Sequence, residues 1–232
     1  HVSFSYDGKR DVLKEISFEV KNGQTIAFVG HTGSGKSSII NLFMRFYEFD
    51  RGQILIDGQD IKDYSQEALR KSIGLVLQEP FLYHGTIASN IRMYHEELTD
   101  EEIRQAAAFV DVADFIESLP GGYDHPVTER GSTLSTGQRQ LLAFARTIAA
   151  QPKILILDEA TANIDQETEE MIQNSLKKMR QGRTTIAIAH RLSTIQDADC
   201  IYVLDKGKII ESGNHDQLIA LGGTYKKMYD LQ

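Results

Sequence analysis

The chain has 232 residues, of which 41% are hydrophobic and 25% charged, a composition typical of a globular protein rather than a disordered one. Its formal net charge of −8 argues against a nucleic-acid-binding surface, since such a surface needs an excess of lysine and arginine. No apolar stretch approaches the ~20 residues of a membrane-spanning helix, and neither the single cysteine nor the seven histidines are spaced for a disulfide framework or a metal site.

Runs of β-branched and apolar residues predict the strands. The chain opens directly in an alternating run without a methionine, so we expect it to be a domain cut from a longer protein. Fully apolar runs at 154–157 and 186–189 favour a parallel sheet covered by helices, and the early alternating runs favour a small antiparallel sheet. The predicted strands are 2–6, 16–20, 25–29, 53–56, 73–77, 154–157, 184–189, 201–204 and 208–211.

A glycine-rich loop follows the third run. Residues 30–37 read Gly-His-Thr-Gly-Ser-Gly-Lys-Ser, and apolar residues at helical spacing follow in 38–46. Glycines let successive backbone N–H groups turn around one centre, Lys36 adds a positive charge and Ser37 a hydroxyl suited to Mg²⁺. The alternative is a chance match, which the flanking strand and helix argue against. The loop predicts a nucleotide-phosphate site.

Residues 82–149 carry helical patterns and no strand-like run. Thr99 and Glu102 form a capping-box pattern at the start of one helix. We therefore predict one domain over 1–232, made of an ATP-binding core (1–81 and 150–232) with an inserted helical subdomain (82–149).

A second helix start lies inside this helical subdomain. Ser135 is a predicted N-cap, followed by small residues and an apolar helical pattern. Such a helix N-terminus favours anions, although the loop at 30–37 already holds the nucleotide. Two anion sites for one triphosphate suggest that a second copy of the domain supplies one of them.

Two carboxylates follow the apolar run 154–157. Asp158 would hold Mg²⁺, and Glu159 would polarise the water that attacks the γ-phosphate. A solvated acidic strand end is the alternative, which is plausible for either residue alone and poor for the pair.

Six motifs in order make the chain resemble the nucleotide-binding domain of an ATP-binding-cassette (ABC) transporter over essentially its whole length. Taken singly, Gln78, Tyr6 and His190 could be a turn residue, a core residue and a strand cap. The matching positions are Walker A at 30–37, the Q-loop Gln78, the signature 134–138, the Walker B end 157–159, the D-loop 162–165 and the switch His190, with Tyr6 as the adenine-stacking aromatic.

The resemblance implies a fold, an activity and a site. The fold is α/β, a P-loop NTPase (RecA-like) parallel-sheet core with an antiparallel β subdomain and an inserted α-helical subdomain. The activity is Mg²⁺-dependent hydrolysis of ATP to ADP and phosphate, coupled to transport. The implied catalytic residues are Glu159, His190, Lys36 and Gln78; the nucleotide-binding residues are Tyr6, Gly30, Thr32, Gly33, Ser34, Gly35, Lys36, Ser37, Ser38, Gln78, Asp158, Ser135, Gly137 and Gln138; the metal ligands are Ser37, Gln78 and Asp158.

Further features resemble the exporter branch of the family, namely the segments 128–131 and 78–87. The branch implies a multidrug or lipid exporter with its transmembrane domain N-terminal to His1 and this domain at the cytoplasmic face of the cell membrane. Phe81, Leu82 and Tyr83 would then face a coupling helix of the membrane domain, or else pack inside the helical subdomain.

Two departures from the family pattern bear on the partner. Thr136 stands where the signature usually has glycine, and Ala162 where the D-loop usually has serine. In the family such changes accompany heterodimers with one degenerate site. We therefore favour a heterodimeric partner domain over a homodimeric one, and expect no nucleic acid.

Three rival functions are weighed against this one. A P-loop kinase gives residues 134–138 no role. A soluble ABC ATPase acting on DNA, RNA or ribosomes usually has long insertions, zinc-binding cysteines or a second cassette, none of which occurs here. A nucleotide sensor without hydrolysis is disfavoured by the intact Asp158, Glu159 and His190.

Overall fold

A computed structural model describes residues 1–158 and 164–232 of the chain. These residues group into two compact units. The first comprises 1–73, the described part of 156–159, and 184–232; the second comprises 74–155 and the described part of 160–183. The predicted helical subdomain, 82–149, falls inside the second unit, and its boundaries at 81 and 150 stay a prediction.

The described elements include both strands and helices along the whole chain. The strands are β1 Val2–Phe4, β2 Leu13–Ile16, β3 Thr25–Val29, β4 Leu55–Ile56, β5 Gln59–Asp60, β6 Ile73–Val76, β7 Gly85–Thr86, β8 Pro126–Val127, β9 Ile154–Asp158, β10 Thr184–Ile188, β11 Cys200–Asp205 and β12 Lys208–Gly213. The helices are α1 Lys36–Phe43, α2 Gln66–Ser72, α3 Ile87–Arg92, α4 Asp100–Phe109, α5 Ala113–Ser118, α6 Thr136–Ala149, α7 Gln166–Arg180, α8 His215–Leu221 and α9 Thr224–Asp230. Within these described elements, no helix combines the length and apolar character needed to cross a bilayer.

A six-stranded sheet with the order β12-β11-β3-β10-β9-β6 dominates the strands. Strand β3 pairs in parallel with β10, where Ile186 and Ile188 lie opposite its residues. It also pairs in parallel with β11, and β12 forms the edge of the sheet antiparallel to β11. Residues Ile26–Val29 of β3 are fully buried, as are Leu155 and Ile156 of β9. The predicted parallel core of apolar strands is confirmed.

Strand β2 corrects one prediction. The run 16–20 was expected to be the strand, whereas the structure has Leu13–Ile16, paired antiparallel with β1 through Phe4–Leu13 and Val2–Ile16. The side chain of Phe18 instead packs edge-on against Phe28, with ring centroids 4.9 Å apart. Phe18 is therefore half-buried by contact with the face of the sheet, without strand pairing at 17–20.

The second unit is mostly helical. Helices α3 and α4 pack against α6, and α6 packs against α7. The Thr99–Glu102 capping box is present at the start of α4. The expectation of no strand between 82 and 149 is wrong, because β7 and β8 form a short antiparallel pair, too short to leave an apolar run in the sequence.

Candidate active site

The loop between β3 and α1 closes around the ammonium of Lys36. This residue begins α1, is buried, and its Nζ donates hydrogen bonds to the carbonyls of Gly30 and His31, the latter at 3.2 Å. Ser34 is tied on both sides, because its N–H donates to the His31 carbonyl and its carbonyl accepts from Gly207 N–H at 2.9 Å. The loop predicted to bind nucleotide phosphates is therefore a closed turn with the Lys36 ammonium at its centre.

Two features of this turn suit a bound anion. Gly35, the residue before α1, has φ of +110°, and an added Cβ would lie 2.9 Å from Leu13 Cδ2, so only glycine fits there. The buried hydroxyl of Ser34 has no hydrogen-bond partner among the described residues. A buried donor without a partner costs free energy unless a ligand satisfies it.

Tyr6 forms an exposed aromatic platform beside α1. Its ring is 46% exposed and lies edge-on against Phe4 and Tyr47, each with centroids 4.8 Å away. Its hydroxyl bonds to Ser38 Oγ at 2.9 Å and accepts from Asn41 Nδ2 at 2.9 Å. The ring is thus fixed in place, and the hydroxyl of Ser38, a predicted nucleotide contact, pairs with Tyr6.

Asp158 ends β9 close enough to Lys36 and His190 to interact electrostatically with both. Burial raises the pKa of the Asp158 carboxyl, and the charges of His190 and Lys36 oppose that rise. Burial also lowers the pKa of the Lys36 ammonium, against the attraction of Asp158. For both Asp158 and Lys36, the attraction of neighbouring charges is therefore too weak to offset the cost of burying the charged form.

His190 lies in a bend just after β10, with an exposed side chain. The side chain of Gln232 bonds to the backbone on either side of Arg191, at His190 and Leu192. Gln232 is not among the predicted site residues, because a residue 42 positions away from His190 leaves no local pattern in the sequence.

In the second unit, the start of α6 is built as predicted. Ser135 Oγ accepts from Gln138 N–H at 3.1 Å, and Gln138 Oε1 accepts from Ser135 N–H at 2.9 Å. The amide of Gln138 is therefore used by the cap. Gly137 is buried against α7, where an added Cβ would lie 2.2 Å from Thr168 Cγ2.

Thr136, the departure from the signature pattern, is exposed. Its hydroxyl accepts a hydrogen bond from Arg139 Nη2 at 3.3 Å, and Arg139 also donates to the Leu134 carbonyl at 3.0 Å. The extra side chain is therefore accommodated without displacing the cap.

Residues 81–83 divide between surface and core. Phe81 and Tyr83 are exposed and lie edge-on with centroids 4.7 Å apart, whereas Leu82 is fully buried. Leu82 therefore packs inside the unit, and only its two neighbours are free to face a partner. The buried Asn90 bonds to both backbone groups of Tyr83, and Arg146 donates to the carbonyls of Asn90 and Phe81 at 2.8 and 3.0 Å.

The other predicted residues have these positions. Gln78 is exposed and follows β6 in the second unit, while Thr32, Gly33 and Ser37 are exposed in the first. Asp165, at the end of the predicted D-loop, caps α7 by accepting from Thr168 N–H at 2.9 Å. Glu159 and Ala162 lie outside the described residues.

The site fits a nucleotide with Mg²⁺ better than a metal held by protein alone. Among residues 1–158 and 164–232, no group of three His, Cys, Asp or Glu side chains could hold a metal ion. The Lys36 ammonium, the unpartnered Ser34 hydroxyl and the N-terminus of α1 are donors, as phosphate oxygens require. A cation held by Asp158, Ser37 and phosphate would supply the missing compensation.

Comparison with known proteins decides the family. The family model described as ABC transporter matches residues 13–162, more than half of the chain. The chain belongs to the ABC transporter family. The predictions of a P-loop ATPase fold and of an ATP-hydrolysing ABC domain are confirmed by this membership, and nucleotide binding follows from it.

Individual relatives of this ABC domain align over its full length. It is 75% identical to the ABC transporter ATP-binding protein exp8 of Streptococcus pneumoniae serotype 4, and 55% identical to YheH of Bacillus subtilis, named as a multidrug resistance ABC transporter ATP-binding/permease protein. A solved bacterial Atm1-family ABC exporter with ATP bound is 45% identical, with a TM-score of 0.92, and the ABC domain covers 100% of its own length and 40% of that chain. The chain spans 40% and 34% of the length of the first two relatives.

Proposed function

We propose that this ABC domain is the ATPase of a membrane exporter, and that two such domains enclose two ATP molecules between them. One observation carries the proposal: the buried ammonium of Lys36 is enclosed by the glycine-rich loop beside the unpartnered hydroxyl of Ser34 and interacts electrostatically with Asp158 at the end of β9, and burial shifts the pKa of Lys36 and of Asp158 toward their neutral forms. A triphosphate with a divalent cation supplies the opposite charge that each group lacks.

Each residue then has a distinct task. The loop amides and Lys36 bind the phosphates, and the fixed ring of Tyr6 provides a stacking surface for adenine. Ser37 and Asp158, with Gln78, would hold Mg²⁺, which when bound neutralises charge on the phosphates. We assign Glu159 as the base that polarises the attacking water, and His190 as the group that bonds the γ-phosphate.

The start of α6 supplies the contact from the partner domain. Ser135 and the helix N-terminus would face a phosphate of the ATP held by the other copy. Because Thr136 and Ala162 depart from the usual residues, we favour a heterodimer in which the partner's signature completes the site of Glu159.

The relatives' names support the exporter assignment. YheH and a Staphylococcus aureus protein 48% identical to this chain are named as multidrug resistance and multidrug export ATP-binding/permease proteins. We propose that the whole protein has a transmembrane domain, that this domain acts at the cytoplasmic face of the membrane, and that exposed Phe81 and Tyr83 contact that transmembrane part.

Glu159→Gln tests the proposal. The amide keeps the size of the side chain and removes the base, so we expect ATP binding to remain, turnover to fall by about 100-fold or more, and an ATP-dependent dimer to accumulate in gel filtration. Lys36→Ala serves as the comparison, because it should lose ATP binding and dimer together. Near-normal turnover of Glu159→Gln would contradict the assignment.

A further inference from the structure

One side-chain amide holds the backbone that carries His190. Gln232 Oε1 accepts a hydrogen bond from Leu192 N–H at 2.8 Å, and Gln232 Nε2 donates to the His190 carbonyl at 3.0 Å. We infer that Gln232 is a positioning residue for His190 and so supports ATP turnover without touching ATP. This inference rests on the role proposed for His190.

The backbone of 190–192 needs such support because it leaves the sheet. The last sheet-type bond before it joins Ala189 N–H to the Phe28 carbonyl at 3.1 Å. His190 then lies in a bend, and a short 3₁₀ turn begins at the fully buried Leu192. Between these two anchors, Gln232 pairs with one donor and one acceptor at once, as a neighbouring strand would.

Gln232 is itself held by a helix that is fixed at its start. The carboxylate of Glu211 accepts hydrogen bonds from the N–H groups of Thr224 and Tyr225, the latter at 3.0 Å. Tyr225 is fully buried, and its hydroxyl bonds to His215 Nδ1 at 2.8 Å. Helix α9 therefore has little freedom, and Gln232 N–H continues it by bonding to the Tyr229 carbonyl at 3.3 Å.

The consequence for chemistry follows from backbone geometry. The orientation of the peptide at His190 sets the direction of its Cα–Cβ bond, and thus where the imidazole points. Without the two bonds, the bend samples other orientations and the correctly placed fraction of His190 falls. A contact needed in the transition state would then form less often, while ATP affinity from the phosphate loop would stay.

A double-mutant cycle on the full protein that contains this chain, in lipid vesicles, tests the inference. We expect Gln232→Ala to lower the kcat of ATP hydrolysis by about 3- to 10-fold, the worth of one to two net hydrogen bonds, with KM for ATP unchanged within about two-fold. In a His190→Ala background, Gln232→Ala should cause no further loss, because both act through one group. Additive losses would overturn the inference.

Two further variants guard against an unfolding artefact. Gln232→Glu keeps the size and the acceptor but replaces the donor that faces the His190 carbonyl, so its kcat should fall at least as far as that of Gln232→Ala; full turnover would overturn the inference. Leu231→Ala is the matched control, since this neighbour is 85% exposed and should change nothing. Circular dichroism melting should show similar apparent Tm values for all of them.

The cycle also separates this inference from the proposed function. If His190→Ala leaves turnover intact, the roles of His190 and Gln232 fail while the ATPase function stands, and the proposed function itself fails only if the unmodified protein does not hydrolyse ATP. If His190→Ala abolishes turnover while Gln232→Ala and Gln232→Glu do not affect it, only the positioning role of Gln232 fails.

Discussion

Gly137→Ala separates packing from phosphate binding at the start of α6. The backbone of Gly137 is outside the left-handed region, so alanine meets no conformational strain there. The added methyl would, however, lie 2.2 Å from Thr168 Cγ2, whereas carbon atoms pack at about 3.5–4.0 Å. Either the Thr168 side chain must leave its rotamer or helices α6 and α7 must separate locally by about 1.5 Å.

The cost can be worked from that overlap. Overpacking by one methyl in a packed interface costs about 1–3 kcal/mol, and the better helix propensity of alanine returns at most about 1 kcal/mol. We expect a net destabilisation of about 1–2 kcal/mol. For a chain of 232 residues this lowers Tm by about 2–8 °C, measurable by circular dichroism without nucleotide.

Thr168→Ser supplies the rescue. Serine removes the methyl in the way and keeps a hydroxyl, so Gly137→Ala with Thr168→Ser should recover most of the lost Tm. ATPase activity should stay low in the double variant if the backbone of Gly137 must approach a phosphate. An unchanged Tm for Gly137→Ala alone would refute the packing argument, and recovery of activity with Tm would assign Gly137 to packing only.

Three more predictions concern residues whose partners are described. Tyr6→Phe removes the hydroxyl that pairs with Asn41 and with the buried Ser38, so we expect ATP affinity to fall by about 2- to 5-fold in nucleotide titration and the free energy of unfolding to fall by about 1 kcal/mol. Asp158→Asn should abolish Mg²⁺-dependent turnover and raise Tm at neutral pH, since the raised pKa of Asp158 means that folding disfavours its charge. Arg146→Lys loses the guanidinium that donates to the carbonyls of both Asn90 and Phe81. We expect the free energy of unfolding, measured with urea, to fall by about 2–4 kcal/mol.

The sign of the Asp158 effect fixes its pH dependence. A carboxyl with a raised pKa in the folded state penalises stability above that pKa, and the penalty disappears as pH falls toward the ordinary carboxyl range. The Tm advantage of Asp158→Asn should therefore shrink on acidification. A Tm advantage of Asp158→Asn that grows in acid would contradict the burial argument for Asp158. Wild-type stability of Arg146→Lys would contradict the predicted role of the Arg146 hydrogen bonds, and unchanged ATP affinity of Tyr6→Phe would contradict the predicted role of the Tyr6 hydroxyl.

The sequence predicts those elements that have a recognisable local pattern of residues. Strands β9 and β10 contain continuous apolar runs, as is typical of strands covered on both faces, and the loop before α1 needs glycine for steric reasons. The prediction for strand β2 is displaced because Phe18 is half-buried by packing against Phe28 on the sheet face, which produces the same sequence alternation as strand pairing. The pair β7 and β8 is too short to carry any period.

The residues of the candidate site likewise include some that a local sequence pattern locates and some that it does not. Lys36, Asp158 and Ser135 lie at element ends that the sequence pattern locates, and Lys36 and Asp158 are close enough to interact electrostatically. Tyr47 packs against Tyr6, and Gln232 bonds to the backbone of His190, each from a distant part of the chain. Such supporting residues depend on tertiary packing, so no spacing rule in one sequence can find them.

Several residues of the proposed site also hold the fold together, which changes how their variants must be interpreted. Gln138 was predicted to contact nucleotide, yet its side chain closes the capping box on Ser135, and Asp165 caps α7. Losing a cap costs about 0.5–2 kcal/mol whether or not ATP is bound. Reduced ATPase activity in Gln138→Ala therefore assigns no nucleotide contact by itself. Only a loss of activity that exceeds the loss of folded protein at the assay temperature would do so.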